Sequence, residues 1–548
     1  MTPSPGTDTP ESAPDGIMVV GGADRGRSVG NDLRPLDARD LGAFSGCLGR
    51  CCSRLTLNTK TKPTLVALGP PHGIRRTRRP THPVLSLLIA LAAVSVTGCD
   101  ATRPDQGIRI GTANTSHTLC SGTFVSGLDP DHLFAENVKP SPGMGLVSWA
   151  LHYQVDRGRR QVTTRVAGRF ESRAVYRDGL GCLIVHGGEL EAASPLATTT
   201  ADARATSPDL PEIAGPAVVE STDLALSAAL DRAFSEPERP PYRRTKAVVV
   251  VHEGRVIAER YAPGYGLATA LAGNSATKSV VSALVGILVR QGRIAVHQPA
   301  PVVAWQNPGD SRHAITIDQL LRMTAGFSND ERGFPPPATR MWFLEPDVAQ
   351  FAAHRSIEGV PGSTWNYSNA SYEILSRIVR DTVGGHAEDV LQFAQRELFA
   401  PLGMHSVTLE FDATGTPMGS KFMFASARDW ARFGLLYLGE GVVAGRRILP
   451  AGWVHYSSSQ TLTTGYGAGF WTNLSNANIP ALGIAWGMPG APRDTYFARG
   501  YLGQYVVVVP SKRLVIARLG LSHNPGGDVE SVGRLVADTI GALGKSSR

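Results

Sequence analysis

The chain runs to 548 residues, more than one ordinary core accommodates, which points to two domains with extensions. Hydrophobic residues make up 42% and charged ones 18%, a globular composition that excludes a wholly disordered chain. The net charge of +7 divides into +5 over residues 1–98 and only +2 over the remainder, so the folded part offers no basic stripe for a nucleic-acid partner.

Residues 1–98 read as a leader. Most of it is rich in Pro, Gly, Asp and Arg without sustained periodicity, which predicts disorder. Near its end Arg75, Arg76, Arg78 and Arg79 precede the apolar run Val84–Val96, interrupted only by Ser86 and Ser95. That run is short for a bilayer span and suits the apolar part of a secretory signal; a buried apolar helix is the other reading. Val96-Thr97-Gly98-Cys99 resembles a bacterial lipobox, and the resemblance implies export to the cell envelope with lipid on Cys99 as membrane anchor. Cys47, Cys51, Cys52 and Cys99 belong to the leader or its end. The remaining pair, Cys120 and Cys182, suggests one disulfide outside the cytosol, with two separately buried thiols as the alternative.

Residues 99–191 contain short alternating runs, Leu146–Val155 and Gln161–Val166, broken by Gly and Pro, and predict a small β-rich region without a catalytic constellation. Residues 192–215 have the composition of a linker, and 216–548 form the main domain. A helix is expected from Ser221, with Leu224, Leu226, Ala229, Leu230 and Phe234 on its apolar side. Ala247–Val251 and Arg255–Tyr261 flank His252-Glu253-Gly254 as a hairpin; Tyr505–Val509 and Leu514–Leu519 flank Pro510–Arg513 as another, before a last helix over Val529–Leu543. This order predicts an α/β domain: an antiparallel sheet built from both ends of the domain, flanked by helices, with an inserted helical lobe. Thr316 and Gln319 form a capping box within that lobe, and Gly326 stands where a helix would stop.

Ser275-Ala276-Thr277-Lys278 opens an apolar helical pattern, and the i, i+3 spacing sets the Lys278 amine beside the Ser275 hydroxyl. A serine is a poor nucleophile until a neighbouring base takes its proton, and lysine can do so only when neutral. Burial and the positive end of a helix both favour the neutral amine, and the helix start offers N–H groups to an oxyanion. Four residues alone also fit a plain helix start with a surface lysine. Downstream, Pro361–Asn366 leads into Tyr367-Ser368-Asn369, where a phenol can relay protons and an amide can orient the lysine. A core tyrosine and a helix-capping asparagine are the bland readings.

Residues 220–545 resemble the serine β-lactamase and penicillin-binding protein superfamily, class C-like, and within it the 6-aminohexanoate-dimer hydrolase and esterase branch. The carrying segments are Ser275–Lys278, Ile315–Gly326, Pro361–Asn369 and Ala427-Arg-Asp-Trp-Ala-Arg-Phe-Gly434, in the family's order. The resemblance implies a β-lactamase-like fold, acylation of Ser275, and a base system of Lys278 with Tyr367. It also implies Asn369 as the amide of the second motif, Gly500 and Tyr501 beside the oxyanion, and no cofactor or metal. The expected partner is a small amide or ester substrate. The sequence departs from the family at Ala498, where relatives carry Lys or His, which counts against a β-lactamase or D-Ala-D-Ala-type peptidase. A non-catalytic envelope-binding lipoprotein is the remaining alternative. Gly26-Arg27-Ser28-Val29-Gly30 matches a nucleophile elbow but lacks the strand and helix that motif needs. The histidines show no metal-ligand spacing.

Overall fold

The computed structural model describes residues 104–187, 212–333, 335–474, 478–479, 484–485, 487–524, 526 and 528–546. Cys99, the arginine cluster, the apolar run and most of the linker lie outside the described residues.

The first region pairs a four-stranded antiparallel sheet with a long helix that the alternating pattern does not foretell. Helix α1 (Pro104–Phe124) lies against β1 (Leu151–Asp156), β2 (Gln161–Val166), β3 (Phe170–Arg177) and β4 (Gly181–Ile184), in that spatial order. Its buried residues mix apolar Ile110, Ala113 and Leu119 with polar groups: Thr112 Oγ1 meets Ser172 Oγ at 2.8 Å, and Ser116 Oγ donates to the Ser172 carbonyl at 2.8 Å. Cys120 of α1 and Cys182 of β4 are joined by a disulfide, with Cα atoms 6.1 Å apart.

A buried carboxylate is central to the docking of this region on the main domain, beside the Lys246–Glu136 ion pair and the Arg177 contact with the Phe411 carbonyl. Glu410 Oε1 accepts from Ser121 Oγ at 2.7 Å and from the Cys182 amide at 2.9 Å, while Oε2 lies 2.9 Å from His117 Nε2. Gly181, at φ +64°, is where β4 approaches that carboxylate; a Cβ would run into the Glu410 side chain.

The main domain begins with α2 (Leu224–Phe234), capped by Asp223. Leu226, Ala229 and Leu230 are buried as expected, but Leu224 is 86% exposed, because the capping position turns the first helical residue outward. The central sheet contains β5 (Thr245–His252), β6 (Arg255–Tyr261), β7 (Trp471–Thr472), β8 (Tyr496–Gly500), β9 (Gln504–Val509) and β10 (Leu514–Gly520). Its spatial order is β7-β8-β9-β10-β5-β6, every pairing antiparallel. The two hairpins therefore meet at β10–β5, and α/β layering with an inserted helical lobe is observed. The in–out alternation of a half-exposed strand is absent from β5, whose Ala247–Val251 are all buried, because the sheet is covered on both faces.

Helices α3 (Thr277–Arg290), α4 (Asn369–Val383), α5 (Ala427–Leu438) and α6 (Val529–Ser546) complete the elements that position the site. The Thr316/Gln319 capping box is formed, and opens a short helix over Ile317–Leu321. Gly326 comes five residues after that helix ends; at φ +88° its backbone meets Gly359, where a Cβ would strike the carbonyl.

Candidate active site

Ser275 sits in a single 3-10 turn, Asn274–Ala276, that runs directly into α3. Three neighbours hold this turn. The strand Leu271–Ala272 pairs with Met423–Ala425, and the Gly273 amide donates to the Met423 carbonyl at 2.8 Å. Trp430 of α5 packs on Gly273 so closely that a Cβ there would overlap the indole. Gly500 at the end of β8 likewise leaves room for the Gly273 carbonyl and the Asn274 side chain. Asn274 takes the left-handed conformation (φ +46°), which asparagine tolerates better than most residues, and its Nδ2 donates to the Tyr501 carbonyl at 2.8 Å. The segment Ala427–Gly434 is thus a buttress: Trp430 supports the serine turn, Arg428 pairs with buried Glu259 of β6, and Gly434 clears Val506 and Val515 of the sheet.

Lys278 is 1% exposed and makes three contacts. Its Nζ donates to Ser275 Oγ at 2.9 Å, to Asn369 Oδ1 at 2.7 Å and to the Ser420 carbonyl at 2.7 Å. Burial pushes the amine down to about 8, although the carboxylates of Glu331, Asp330 and Glu373 pull the other way. Asn369 is the first residue of α4, and its orientation is set from below. Asp330, fully buried, accepts from Asn369 Nδ2 at 2.9 Å and from the amides of Asn369 and Ala370 at 3.1 and 2.9 Å. With Nδ2 committed to Asp330 and Glu331, Oδ1 is left to face the lysine. Burial raises the Asp330 carboxyl above its usual range against the pull of these donors.

Tyr367 is buried between Trp471, stacked at 6.0 Å, and Trp365 at 6.3 Å. Burial foremost drives the pKa of its phenol well above the usual value, against the opposing influence of the nearby Ser275 side chain. The group is therefore a neutral phenol that can pass a proton, while the basic member of the pair is Lys278. Behind the lysine, Glu373 accepts from Trp342 Nε1 at 3.2 Å and from the Ser420 hydroxyl and amide. Burial lifts this carboxyl to about 7.

The structure thus brings Ser275, Lys278, Tyr367 and Asn369 together, with Gly500 and Tyr501 against the serine turn. Ala498 is fully buried on β8, and Arg499 does not stand in for a cation there: its guanidinium donates to the Gly526 carbonyl at 2.7 Å and lies over Tyr505. The residues that sequence reasoning missed are Asn274, Asp330, Glu373 and Ser420. Asn274 alone carried a signal, as a turn-forming residue directly before the serine. Among the described residues, no group of three or more His, Cys, Asp or Glu side chains could hold a metal ion.

The family model described as Beta-lactamase matches residues 231–540. The 6-aminohexanoate-dimer hydrolase of Paenarthrobacter ureafaciens is 24% identical over 298 residues, covering 51% of this chain and 74% of that protein. Among solved structures, a penicillin-binding protein homolog from Caulobacter crescentus is 19% identical with a TM-score of 0.45, over 61% of this chain and all (100%) of that one. A family VIII carboxylesterase is 15% identical with a TM-score of 0.45, over 61% and 100%. With the family model spanning more than half of its length, the chain belongs to the beta-lactamase family of serine hydrolases.

Proposed function

We propose that this protein hydrolyses small esters or linear amides through an acyl-enzyme on Ser275. The observation that carries this reading is the 2.9 Å contact between Ser275 Oγ and a buried amine whose pKa is lowered to about 8. In its neutral form Lys278 accepts the Ser275 proton as Oγ attacks the substrate carbonyl. The Ser275 and Tyr501 amides receive the developing oxyanion, with the positive end of α3 behind the first. The Tyr367 phenol conveys a proton to the departing oxygen or nitrogen as the carbonyl–heteroatom bond breaks. Water then attacks the acyl-serine, returning one proton through the same pair and releasing the acid. The relative named 6-aminohexanoate-dimer hydrolase supports a hydrolytic reading of the site.

Buried Ala498 and the engagement of Arg499 elsewhere weigh against a β-lactamase or peptidase, which would need a cation beside β8 for the substrate carboxylate. The assembled Ser275–Lys278–Asn369 contacts weigh against a purely binding role. A fluorophosphonate probe is expected to label Ser275 alone, and Ser275→Ala to abolish hydrolysis of short aryl esters. Labelling at another residue, or turnover surviving in the alanine variant, overturns the mechanism.

We further propose that the chain is exported and lipid-anchored through Cys99. The arginine cluster, the apolar run and the Cys120–Cys182 disulfide support this. Cys99→Ser is expected to lose lipid labelling and membrane retention; a variant still held at the membrane counts against it.

A further inference from the structure

The turn that carries Ser420 has two sets of partners. Toward the main domain it holds the start of the catalytic helix. The Ser420 carbonyl accepts from Lys278 at 2.7 Å, the Lys421 carbonyl from Thr277 Oγ1 at 3.1 Å, and the Met423 carbonyl from the Gly273 amide at 2.8 Å. The turn is closed on itself, since the Met418 carbonyl accepts from the Lys421 and Phe422 amides at 3.2 and 2.9 Å. Both of its ends are also tied to Glu410, which directly follows the strand Thr408–Leu409. The Glu410 amide donates to the Phe422 carbonyl at 3.0 Å, and the Glu410 carbonyl accepts from the Met418 amide at 2.9 Å.

The N-terminal region grips that same residue. Glu410 is fully buried. Among the described residues, both hydrogen-bond donors to its carboxylate, Ser121 Oγ and the Cys182 amide, come from the N-terminal region, as does the His117 Nε2 that faces its second oxygen. A carboxylate taken out of water needs such partners, so the main domain presents an acceptor that the N-terminal region completes. The two donors sit on α1 and β4, and the Cys120–Cys182 disulfide joins those elements at the donor residues themselves or beside them. The His117 ring packs on Phe422 at 4.4 Å and on Phe343 at 6.1 Å. Phe343 follows Trp342, whose Nε1 donates to Ser420 Oγ at 3.0 Å.

We propose that the N-terminal region is a positioning element of the active site: by clamping Glu410 and seating Phe422 it fixes the 418–423 turn, whose Ser420 carbonyl aims the Lys278 amine at Ser275. Glu410 and His117 are then positioning residues, acting through Ser420. The proposal rests on the reading of Lys278 and Ser275 as the reacting pair and adds what holds them in register. Without the clamp the turn keeps its bonds to Glu373, but Phe422 and the turn's two ends are released. The Ser420 carbonyl then drifts, and small displacements of a base are costly in rate.

Two measurements on the full chain test this. Hydrogen–deuterium exchange reads the turn directly. Glu410→Leu leaves Ser121 and the Cys182 amide without their acceptor, and peptides covering residues 418–423 should exchange at least roughly tenfold faster than in wild type. Glu410→Gln is the conservative counterpart: its amide oxygen still accepts from both donors and its NH2 can face the other tautomer of His117, so the turn should keep its protection. Lys246→Gln is the control, since it breaks the 2.6 Å ion pair with Glu136 in the same interface but away from the turn, which should exchange as in wild type. The second measurement is ester kinetics. Glu410→Leu should lose roughly tenfold to a hundredfold in kcat with KM changed by less than about twofold, and Glu410→Gln should recover most of that loss. Lys246→Gln should keep its kcat whatever it does to the melting temperature. Ser121→Ala, which removes one donor, repeats both measurements if Glu410→Leu does not fold. Unchanged exchange in the turn, an unchanged kcat in the clamp variants, or a kcat that falls with melting temperature in the control as it does in them overturns the proposal. The exchange arm needs no turnover, so it decides the clamp even if wild type hydrolyses no ester, a result that would count against the Ser275 chemistry alone.

Discussion

Lys278 reaches Ser275 over 2.9 Å while its other two hydrogens are taken by the Asn369 amide oxygen and the Ser420 carbonyl. The amine therefore has one direction left in which to exchange a proton, toward the serine. Deprotonation converts its donor contact with Oγ into an acceptor contact without moving either residue. Asp330 and Glu373 act one layer further out, the first by turning Asn369 and the second by holding Ser420.

The pH dependence follows from that amine. Only neutral Lys278 can take the serine proton, and its pKa is lowered to about 8, so kcat/KM for a neutral ester should rise with pH up to about 8 and level above it. Below the limb the rate should fall about tenfold per pH unit. A profile from about pH 6 to about pH 10 measures this. A flat profile, or a limb near about pH 6, would assign the proton to another group.

Gly500 should be intolerant of any side chain. A Cβ there overlaps the Gly273 carbonyl and crowds Asn274, so Gly500→Ala must push β8 away from the serine turn. The expected cost is about 1–3 kcal/mol of stability, with at least roughly a tenfold loss in kcat, since small displacements of a nucleophile are expensive. Gly541 is the control: it lies in α6 with open space around it, and Gly541→Ala should stabilise by about 0.5–1 kcal/mol. Thermal unfolding and ester kinetics on both variants separate the outcomes. An unperturbed Gly500→Ala enzyme would mean that the close approach is not needed.

Ala498→Lys should not restore an ordinary family site. Ala498 is fully buried and, by strand alternation, faces the same side as Gly500, toward the serine turn. An ammonium forced in there is desolvated without a partner, with an expected loss of about 3 kcal/mol. As a like charge near Lys278 it should also shift the limb of the pH profile downward by about one unit. Melting temperature and the pH profile of ester hydrolysis check both effects. A variant as stable as wild type with an unmoved limb would show that the side chain escapes to solvent.

Where alternation, caps and turn residues decide the local structure, the sequence was sufficient. The β5–β6 and β9–β10 hairpins, the Thr316 capping box and the serine helix start are local consequences of their own residues. Helix α1 was not legible because buried Thr112, Thr115, Ser116, His117 and Ser121 are interspersed with buried Ile110, Ala113, Leu119 and Cys120 and break up any apolar stripe; the polar groups are satisfied by backbone carbonyls, by Ser172 and by Glu410. Its glycines, Gly107, Gly111 and Gly122, weaken the helix signal further. Within the site, Ser275, Lys278, Tyr367 and Asn369 are readable because their spacing from a helix start carries the geometry. Asp330 and Glu373 are not, since each gains its meaning from a partner distant in the chain: Asp330 lies 39 residues before Asn369, and Glu373 lies 47 before Ser420.

The pairing of β5 with β10 sets a timetable for the nascent chain. Thr245 and Arg518, which hydrogen-bond at 3.0 Å beside that seam, are 273 residues apart. At synthesis rates of about 5–20 residues per second, the β5–β6 hairpin emerges and then waits roughly 15–50 s for its sheet partner. Throughout that interval the edge Ala247–Val251, wholly buried in the finished protein, is open to strand pairing with other chains. Keeping the polypeptide unfolded until its last hairpin has been made, by a holding chaperone or by threading across a membrane, would remove that hazard.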